Sequence, residues 1–521
     1  MRLDRFFLFV SVTLLLLFTL GMLVNLGNIA FWEDEGETVQ YGRVILTFGY
    51  PTVFDGRSFI LLDENYHPKN YLRYTSPYLQ FYVAAFGLLL GGESGNTFLI
   101  RLPFALVAIV GVWGSWLLFR KLKYPPFVLF LYSTFLATSV QLYLNWRQAR
   151  HYALQYPLLI GFLAAYLNLG KRWGVISFIV FGFLFYHAYY LGFFSFYAAM
   201  TIHAMIRKLL DRTYRLKPLI FCTIALATLH VPAYVYLRHF GQLTKTDYTQ
   251  TFLSYLMDIN YDAYLKIAVI AFLITVVLKK KLPNFRNFFQ SYQSSLSLII
   301  LAIGTNPLLA SFSVHHSRYM SFVFPFGFLI ASVSWENMVR VIARTFLLRK
   351  GLVQIISLPL LFFLVFYSHP GFIQHLKGFW KELQSEYYGP IEGIVNTIEG
   401  KQGLATIDPF PSQKPEIIIA TNLEDGAIYS YLNNQFLNYL APTSQYRDGT
   451  RLPDWVIIRK HWPQKEYLQS FLEKGTYEQI ETEYCDLQYE NLYLVRTHNF
   501  QTVTDCPNDK LTLYRFITLG D

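Results

Sequence analysis

SPYLQFYVAAFGLLLGG, residues 76–92, is apolar enough to cross a bilayer, and whether it does so decides the topology of the whole chain. Eleven other apolar runs surround it, at 6–26, 98–119, 125–143, 152–169, 173–187, 188–206, 218–238, 262–278, 292–312, 319–337 and 352–368. Each is near the roughly 20 residues that span a hydrocarbon core as a helix, with 173–187 on the short side. The basic residues arbitrate. With eleven spans and a cytoplasmic N-terminus, Arg120, Lys121 and Lys123, Lys171 and Arg172, and the clusters in 207–217, 279–281 and 340–350 all fall inside. The opposite loops carry only scattered basic residues, which is the positive-inside distribution. Counting 76–92 as a span would turn every later cluster outward. It is therefore expected to lie in, or dip into, the outer interface. The outer loop holding it then runs from about residue 27 to 97, long for a linker and usual for a functional loop.

Composition agrees with this class. Of 521 residues, 53% are hydrophobic and 15% charged, and mean hydropathy is positive. The net charge of +10 is spread as short clusters between apolar runs, unlike the continuous basic face of a nucleic-acid binder. The apolar run of the first segment is too long for a cleaved signal and lacks a small-residue cleavage site. The expected fold class is a polytopic α-helical membrane protein of about eleven spans, residues 1–368, followed by an extracytoplasmic α/β domain, 369–521. An odd number of spans places that domain on the outer face.

The outer loop opens with Phe31-Trp32-Glu33-Asp34-Glu35-Gly36-Glu37, four carboxylates just where the chain leaves the hydrocarbon. A charge at the bilayer centre costs roughly 2.5–3.5 kcal/mol on insertion scales, so the cluster belongs at or above the interface. A helix-like run, residues 38–46, follows and is stopped by Gly49 and Pro51. Two readings compete. Asp34 with Glu37 three residues on has the form of a capping box, and acids suit the positive end of a helix. Alternatively, Asp34 is a base held near a membrane surface.

The polar residues of the same face help to choose. Arg101 opens the second span, Arg147 and Arg150 lie between the third and fourth, and His187 with Tyr186, Tyr189 and Tyr190 lies between the fifth and sixth. His315, His316, Arg318 and Tyr319 lie between the ninth and tenth. Singly, an arginine at a span end snorkels to head groups and a tyrosine joins the aromatic belt. Together, an acidic cluster and several arginines on one face suggest a phosphate-bearing substrate and a nucleophile needing deprotonation, because guanidinium is planar, permanently charged and suited to phosphate.

An ordered set of short motifs carries a resemblance. It comprises Asp34-Glu35, then Tyr41-Gly42-Arg43-Val44-Ile45-Leu46 and Gly49-Tyr50-Pro51, then Ser76-Pro77-Tyr78-Leu79 and Arg101-Leu102-Pro103-Phe104-Ala105-Leu106. It ends with Arg147-Gln148-Ala149-Arg150-His151-Tyr152-Ala153-Leu154, and Arg318-Tyr319 with Pro325. Over roughly residues 1–340 the chain resembles the C-superfamily (GT-C) of membrane glycosyltransferases, most closely its bacterial branch of protein O-mannosyltransferase, aminoarabinose transferase and Rgt-like enzymes. The resemblance implies inverting transfer of a sugar from a polyprenyl-phosphate donor to a hydroxyl of a glycan, lipid or protein, on the outer face of what would be a prokaryotic inner membrane. It implies a catalytic role for Asp34, as base or acceptor-orienting group, and for Glu35. It assigns the donor phosphate to Arg101, with Arg150, Arg318 and Arg147 as helpers. Glu37, Arg73, His187, Tyr190 and Tyr319 become substrate contacts. Two positions differ from the family pattern: Thr75-Ser76 stands where a His or Lys often precedes the proline, leaving Arg73 as the nearby basic candidate for a donor-phosphate contact, and Thr38 replaces a tyrosine. No cofactor is required by this chemistry; a divalent metal is compatible with it, although no His, Asp and Glu set in the outer loops has metal-ligand spacing.

The tail reads as strands at 416–420, 455–458 and 492–495 with helices at 425–432 and 465–474. Cys485 and Cys506 fall in it and could pair outside the cell, whereas Cys222 lies within an apolar run. Two alternatives to the transferase stay open: a transporter or flippase of phosphate-bearing lipids, and a relative that has lost activity. Against a transporter, the sequence has no internal repeat and few charges within its spans.

Overall fold

A computed structural model of the chain describes residues 2–27, 30–54, 71–73, 77–91, 96–237, 247–259, 264–279, 294–311, 320–368, 390–400, 417–421, 428, 431–432, 436–438, 452–460, 465–486 and 510–519. The chain divides into two compact units: residues 1–22, 106–146 and 151–377 form one, and residues 23–105, 147–150 and 378–521 the other. The second unit thus joins the long loop after the first helix to the tail.

The first unit is helical. α1 (Arg2–Leu23) and α4 (Thr97–Lys121) contribute most of their lengths to it. It further contains α5 (Pro126–Thr138), α6 (Val140–Trp146), α7 (His151–Tyr166), α8 (Arg172–Ala188), α9 (Tyr190–Leu210) and α10 (Lys217–Leu237). α11 (Tyr248–Ile259), α12 (Tyr264–Lys279), α13 (Ser294–Ala310), α14 (Phe324–Thr345) and α15 (Lys350–Ser368) complete it. A helix lies over each of the eleven expected runs, and four are long and apolar enough to cross a membrane by length and composition alone: Leu3–Leu23, Thr97–Lys121, Lys217–Val235 and Phe324–Thr345. The amphipathic α11 has no counterpart in the expectations.

Lipid tails are as apolar as leucine, so helices in a membrane are held by close packing and buried hydrogen bonds. Both occur here. A Cβ on Gly111 of α4 would lie 2.8 Å from the Pro157 backbone of α7, so only glycine permits that approach. Ser11 bonds Ser133 at 2.7 Å and receives the Trp116 indole N–H at 2.7 Å. Tyr132 bonds both Ser115, at 2.8 Å, and Tyr156, at 2.7 Å. Glu336, buried in α14, accepts from Arg340 at 2.6 Å, Lys350 at 2.7 Å and Gln354 at 3.1 Å, which ties α14 to α15.

The second unit is built on α2 (Glu33–Phe48) and α3 (Leu79–Gly91). Tyr41, Val44 and Ile45 recur at helical spacing and bury one face of α2 against Phe81 and Ala85 of α3, with Val53 alongside. Each such aliphatic is worth about 1.5–3 kcal/mol when fully buried. Gly42 sets the approach, since a Cβ there would meet the Ala85 backbone nitrogen at 2.8 Å. α2 ends as expected at Gly49, which adopts φ 82° and donates its N–H to Ile45 at 2.8 Å in a left-handed cap. Past the cap, Val53 and Tyr71 pair at 2.8 Å and Arg73 and Pro51 at 3.0 Å, in an antiparallel bridge that returns Arg73 to the side of α2.

The tail contributes α16 (Pro390–Glu399), α17 (Lys465–Leu472) and five strands: β1 (Ile418–Thr421), β2 (Phe436–Asn438), β3 (Trp455–Ile457), β4 (Gly475–Cys485) and β5 (Lys510–Leu519). Their order is β2-β1-β3-β5-β4, with β1 parallel to β2 and β3, and β5 antiparallel to β3 and β4. β1, β3 and α17 answer to expected elements; the expected strand 492–495 lies outside the described residues. Cys485 is disulfide-bonded, as a pairing with Cys506 requires, and Cys222 is free. Cys506 itself lies outside the described residues.

Candidate functional site

The acidic stretch sits at the start of α2, and the capping box is not what holds it. The N-cap is Trp32, which makes no side-chain cap bond, and Asp34 is already the second residue of the helix. Negative charge in a first turn still suits the helix dipole. What fixes the turn is a set of partners from elsewhere in the same unit.

Glu35 is fully buried. Its carboxylate takes Arg101 Nε at 2.8 Å and Nη2 at 2.5 Å in a fork, and Oε1 also accepts the Ala149 backbone N–H at 2.7 Å. Bidentate charge-assisted bonds of this kind are short and directional. Arg101 further donates to Leu26 O at 3.1 Å and Ala30 O at 3.2 Å, and its guanidinium lies over the Phe31 ring at 5.2 Å. Arg147 donates to Val24 O at 2.8 Å. Arg101 and Arg147 therefore satisfy carbonyls in the turn between α1 and α2, which lacks helical partners for them.

Arg150 and Arg73 meet the other two acids. Arg150 Nη1 donates to Asp34 O at 2.8 Å and to Thr38 Oγ1 at 3.1 Å, while Nη2 reaches Asp34 Oδ2 at 3.2 Å. Glu37 lies between two guanidinium groups, Arg73 at 3.5 Å and Arg150 at 3.7 Å. Arg73 also stands 5.9 Å from the centre of the Tyr41 ring, and Tyr78 donates its hydroxyl to Arg73 O. The carboxylates differ in access: the side chains of Asp34 and Glu37 are 21% and 19% exposed, and that of Glu35 is 0%. Ion-pair bonds between guanidinium and carboxylate usually measure about 2.7–2.9 Å. The pairs at Glu37 are longer and the fork at Glu35 is closed.

Of the sequence-predicted residues, this unit brings together Asp34, Glu35, Glu37, Arg73, Arg101 and Arg150, with Arg147 on the adjoining turn. His187 and Tyr190 belong to the other unit. There His187 packs on Phe183 at 4.5 Å and Tyr186 at 5.3 Å, and Tyr190 faces Tyr186 at 6.5 Å. Arg318 and Tyr319 lie outside the described residues. Among the described residues, no three His, Cys, Asp or Glu side chains gather closely enough to hold a metal ion.

Three contributors were not among the site residues expected from the sequence. Ala149 acts through its backbone N–H on Glu35. Thr38 joins the site by accepting from Arg150. Tyr431, in the tail, accepts the Phe31 N–H at 2.9 Å, bonds Thr97 Oγ1 at 2.7 Å and stacks on Phe31 at 5.4 Å.

No protein-family model matches the chain, and no curated protein does. Solved structures do. ArnT from Cupriavidus metallidurans, solved bound to undecaprenyl phosphate, matches with a TM-score of 0.54 at 12% sequence identity, over 96% of this chain and 97% of that one. The chain has the fold of that protein nearly end to end, and with its apolar helices it is an integral membrane protein.

Proposed function

We propose that this protein is a membrane glycosyltransferase that moves a sugar from a polyprenyl-phosphate donor to a hydroxyl acceptor on the outer face, with inversion. The observation that carries the reading is a partly open carboxylate, Asp34, beside Arg150, on a turn rigidly held by the buried Glu35–Arg101 pair. The polyprenyl phosphate bound to the structural neighbour supports the donor class.

In the proposed reaction the acceptor oxygen attacks the anomeric carbon and gives its proton to Asp34. The bond from that carbon to the phosphate oxygen breaks, and polyprenyl phosphate leaves with the electron pair. A phosphate is a good leaving group when guanidinium groups meet its charge. Arg150 is the leading candidate for that contact, with Arg73 next to it, because their long contacts to Glu37 can yield to a phosphate. Arg101 and Arg147 have committed donors in the turn, which suits them to positioning. Arg318 remains a candidate from the sequence alone. Glu37 is placed to meet a sugar or acceptor hydroxyl. An acceptor that is a glycan, lipid or protein is compatible with this chemistry.

The test uses purified protein, labelled polyprenyl-phosphate sugars and the Asp34→Asn variant. Asn keeps the size and loses the ability to take a proton. Transfer should fall by about 100-fold or more, the usual scale for a general base. Wild-type turnover in Asp34→Asn would leave the acceptor without its proposed activator. Donor lipid that is moved across vesicles but never cleaved would instead favour a flippase.

A further inference from the structure

We propose that Tyr431 is a positioning residue for this transfer, clamping the turn that aims Asp34; the proposal rests on the transferase reading above. The helix that carries Asp34 begins without a side-chain cap of its own. Its entry is held from 400 positions away in sequence, by the Tyr431 hydroxyl on the Phe31 N–H. That hydroxyl accepts from the Phe31 N–H and also shares a hydrogen bond with Thr97 Oγ1, at the start of α4. One buried side chain therefore ties the tail, the entry to α2 and the first turn of α4 together.

The ring extends the clamp. It stacks on Phe31 at 25°, and the Arg101 guanidinium, whose fork closes on Glu35, also lies over the Phe31 ring. Glu35 in turn receives Ala149 N–H, one residue before the Arg150 that grips Asp34. The succession Tyr431, Phe31, Arg101, Glu35, Ala149–Arg150, Asp34 is continuous contact within one unit. Burial holds the Tyr431 phenol well above its ordinary value, against the opposing pull of Arg101, Thr97 and the Phe31 amide. It stays neutral across the working range and acts by placement, not by proton transfer.

Tyr431→Phe keeps the stack and removes only the hydroxyl. The expected result is a kcat lower by about tenfold, within reach of the two hydrogen bonds the hydroxyl makes, with donor KM little changed. Tyr477→Phe is the control, because it deletes a hydroxyl bonded to Pro453 O at 3.0 Å in the same tail, and it should leave turnover at wild type. Coupling separates aim from bulk stability. In an Asp34→Asn background, Tyr431→Phe should cost almost nothing further, since there is no base left to aim. A full tenfold additional loss there, or an unaltered kcat in the single variant, overturns the proposal. Hydrogen exchange supplies a readout independent of activity: the Phe31 amide should exchange faster in Tyr431→Phe. Faster exchange in a protein that transfers no sugar would retire the transferase reading while leaving the clamp. Unchanged exchange in an active enzyme would retire the clamp alone.

Discussion

Asp34, Glu35 and Glu37 fall within four consecutive positions with one glycine among them, yet their surroundings differ. Glu35 is wholly buried within the Arg101 fork and on Ala149 N–H. Removing one member of a buried, hydrogen-bonded pair leaves the other charge uncompensated and costs about 3–5 kcal/mol. Glu35→Gln should therefore lower the melting temperature by several degrees in detergent. Asp34→Asn, whose side chain is partly exposed and faces Arg150 at 3.2 Å, should unfold close to wild type. Thermal unfolding of the two variants side by side checks this. A Glu35→Gln protein with native stability and selectively lost transfer would exchange the roles of the two carboxylates. Sequence spacing alone could not make the distinction, because a carboxylate is sealed or opened by residues such as Arg101 and Ala149 that are remote in the chain.

The stop of α2 was legible because Gly49 and Pro51 carry the information locally, whereas its start was not, because the partner that caps Phe31 is Tyr431. The segment 76–92 was legible as a helix from its apolar run, and α3 covers Leu79–Gly91 of it. β4 was not. In its sequence, GTYEQIETEYC, exposed residues alternate with less exposed ones, but register shifts between Thr476 and Tyr477 and between Glu481 and Cys485 break the period, and only Thr482 and Cys485 are buried. Gly42 shows what local sequence does convey when geometry is added. It lies in a motif noted for resemblance, and the physical reason for glycine there is the backbone of α3 at 2.8 Å. Gly42→Leu should overpack the α2–α3 contact, with a cost of about 1–3 kcal/mol, and displace Tyr41 and Arg43 with it. Melting temperature and transfer should fall together, while helical circular dichroism at low temperature stays near native. Native stability in that variant would mean that the two helices separate freely.

At the scale of the whole molecule, contacts within the second unit constrain how often the chain crosses the membrane. Arg150 bonds Asp34, so residues 34 and 150 share a face and an even number of crossings separates them. Three stretches compete for that count: α3, α4, and α5 with α6. α4 is long and apolar enough to cross. α3 has 13 residues, about 20 Å of helix, against a hydrocarbon core of about 30 Å. Pro126–Thr138 and Val140–Trp146 run almost end to end and together approach the required length. Arg120, Lys121 and Lys123 lie between α4 and α5, where the positive-inside rule wants the cytoplasm. The same argument applies to Phe31 and Tyr431, which also touch. Ten expected spans lie between them, an even number, and adding α3 would make it odd. Topology reporters inserted after Lys123 and Lys217 should therefore report cytoplasm, and one after Ser385 should report the outer face. A reporter after Lys123 that reads outside would make α3 the crossing and the α5–α6 stretch the one that returns. The acids and arginines would still share a face, but the basic cluster at 120–123 would need a reason to be there.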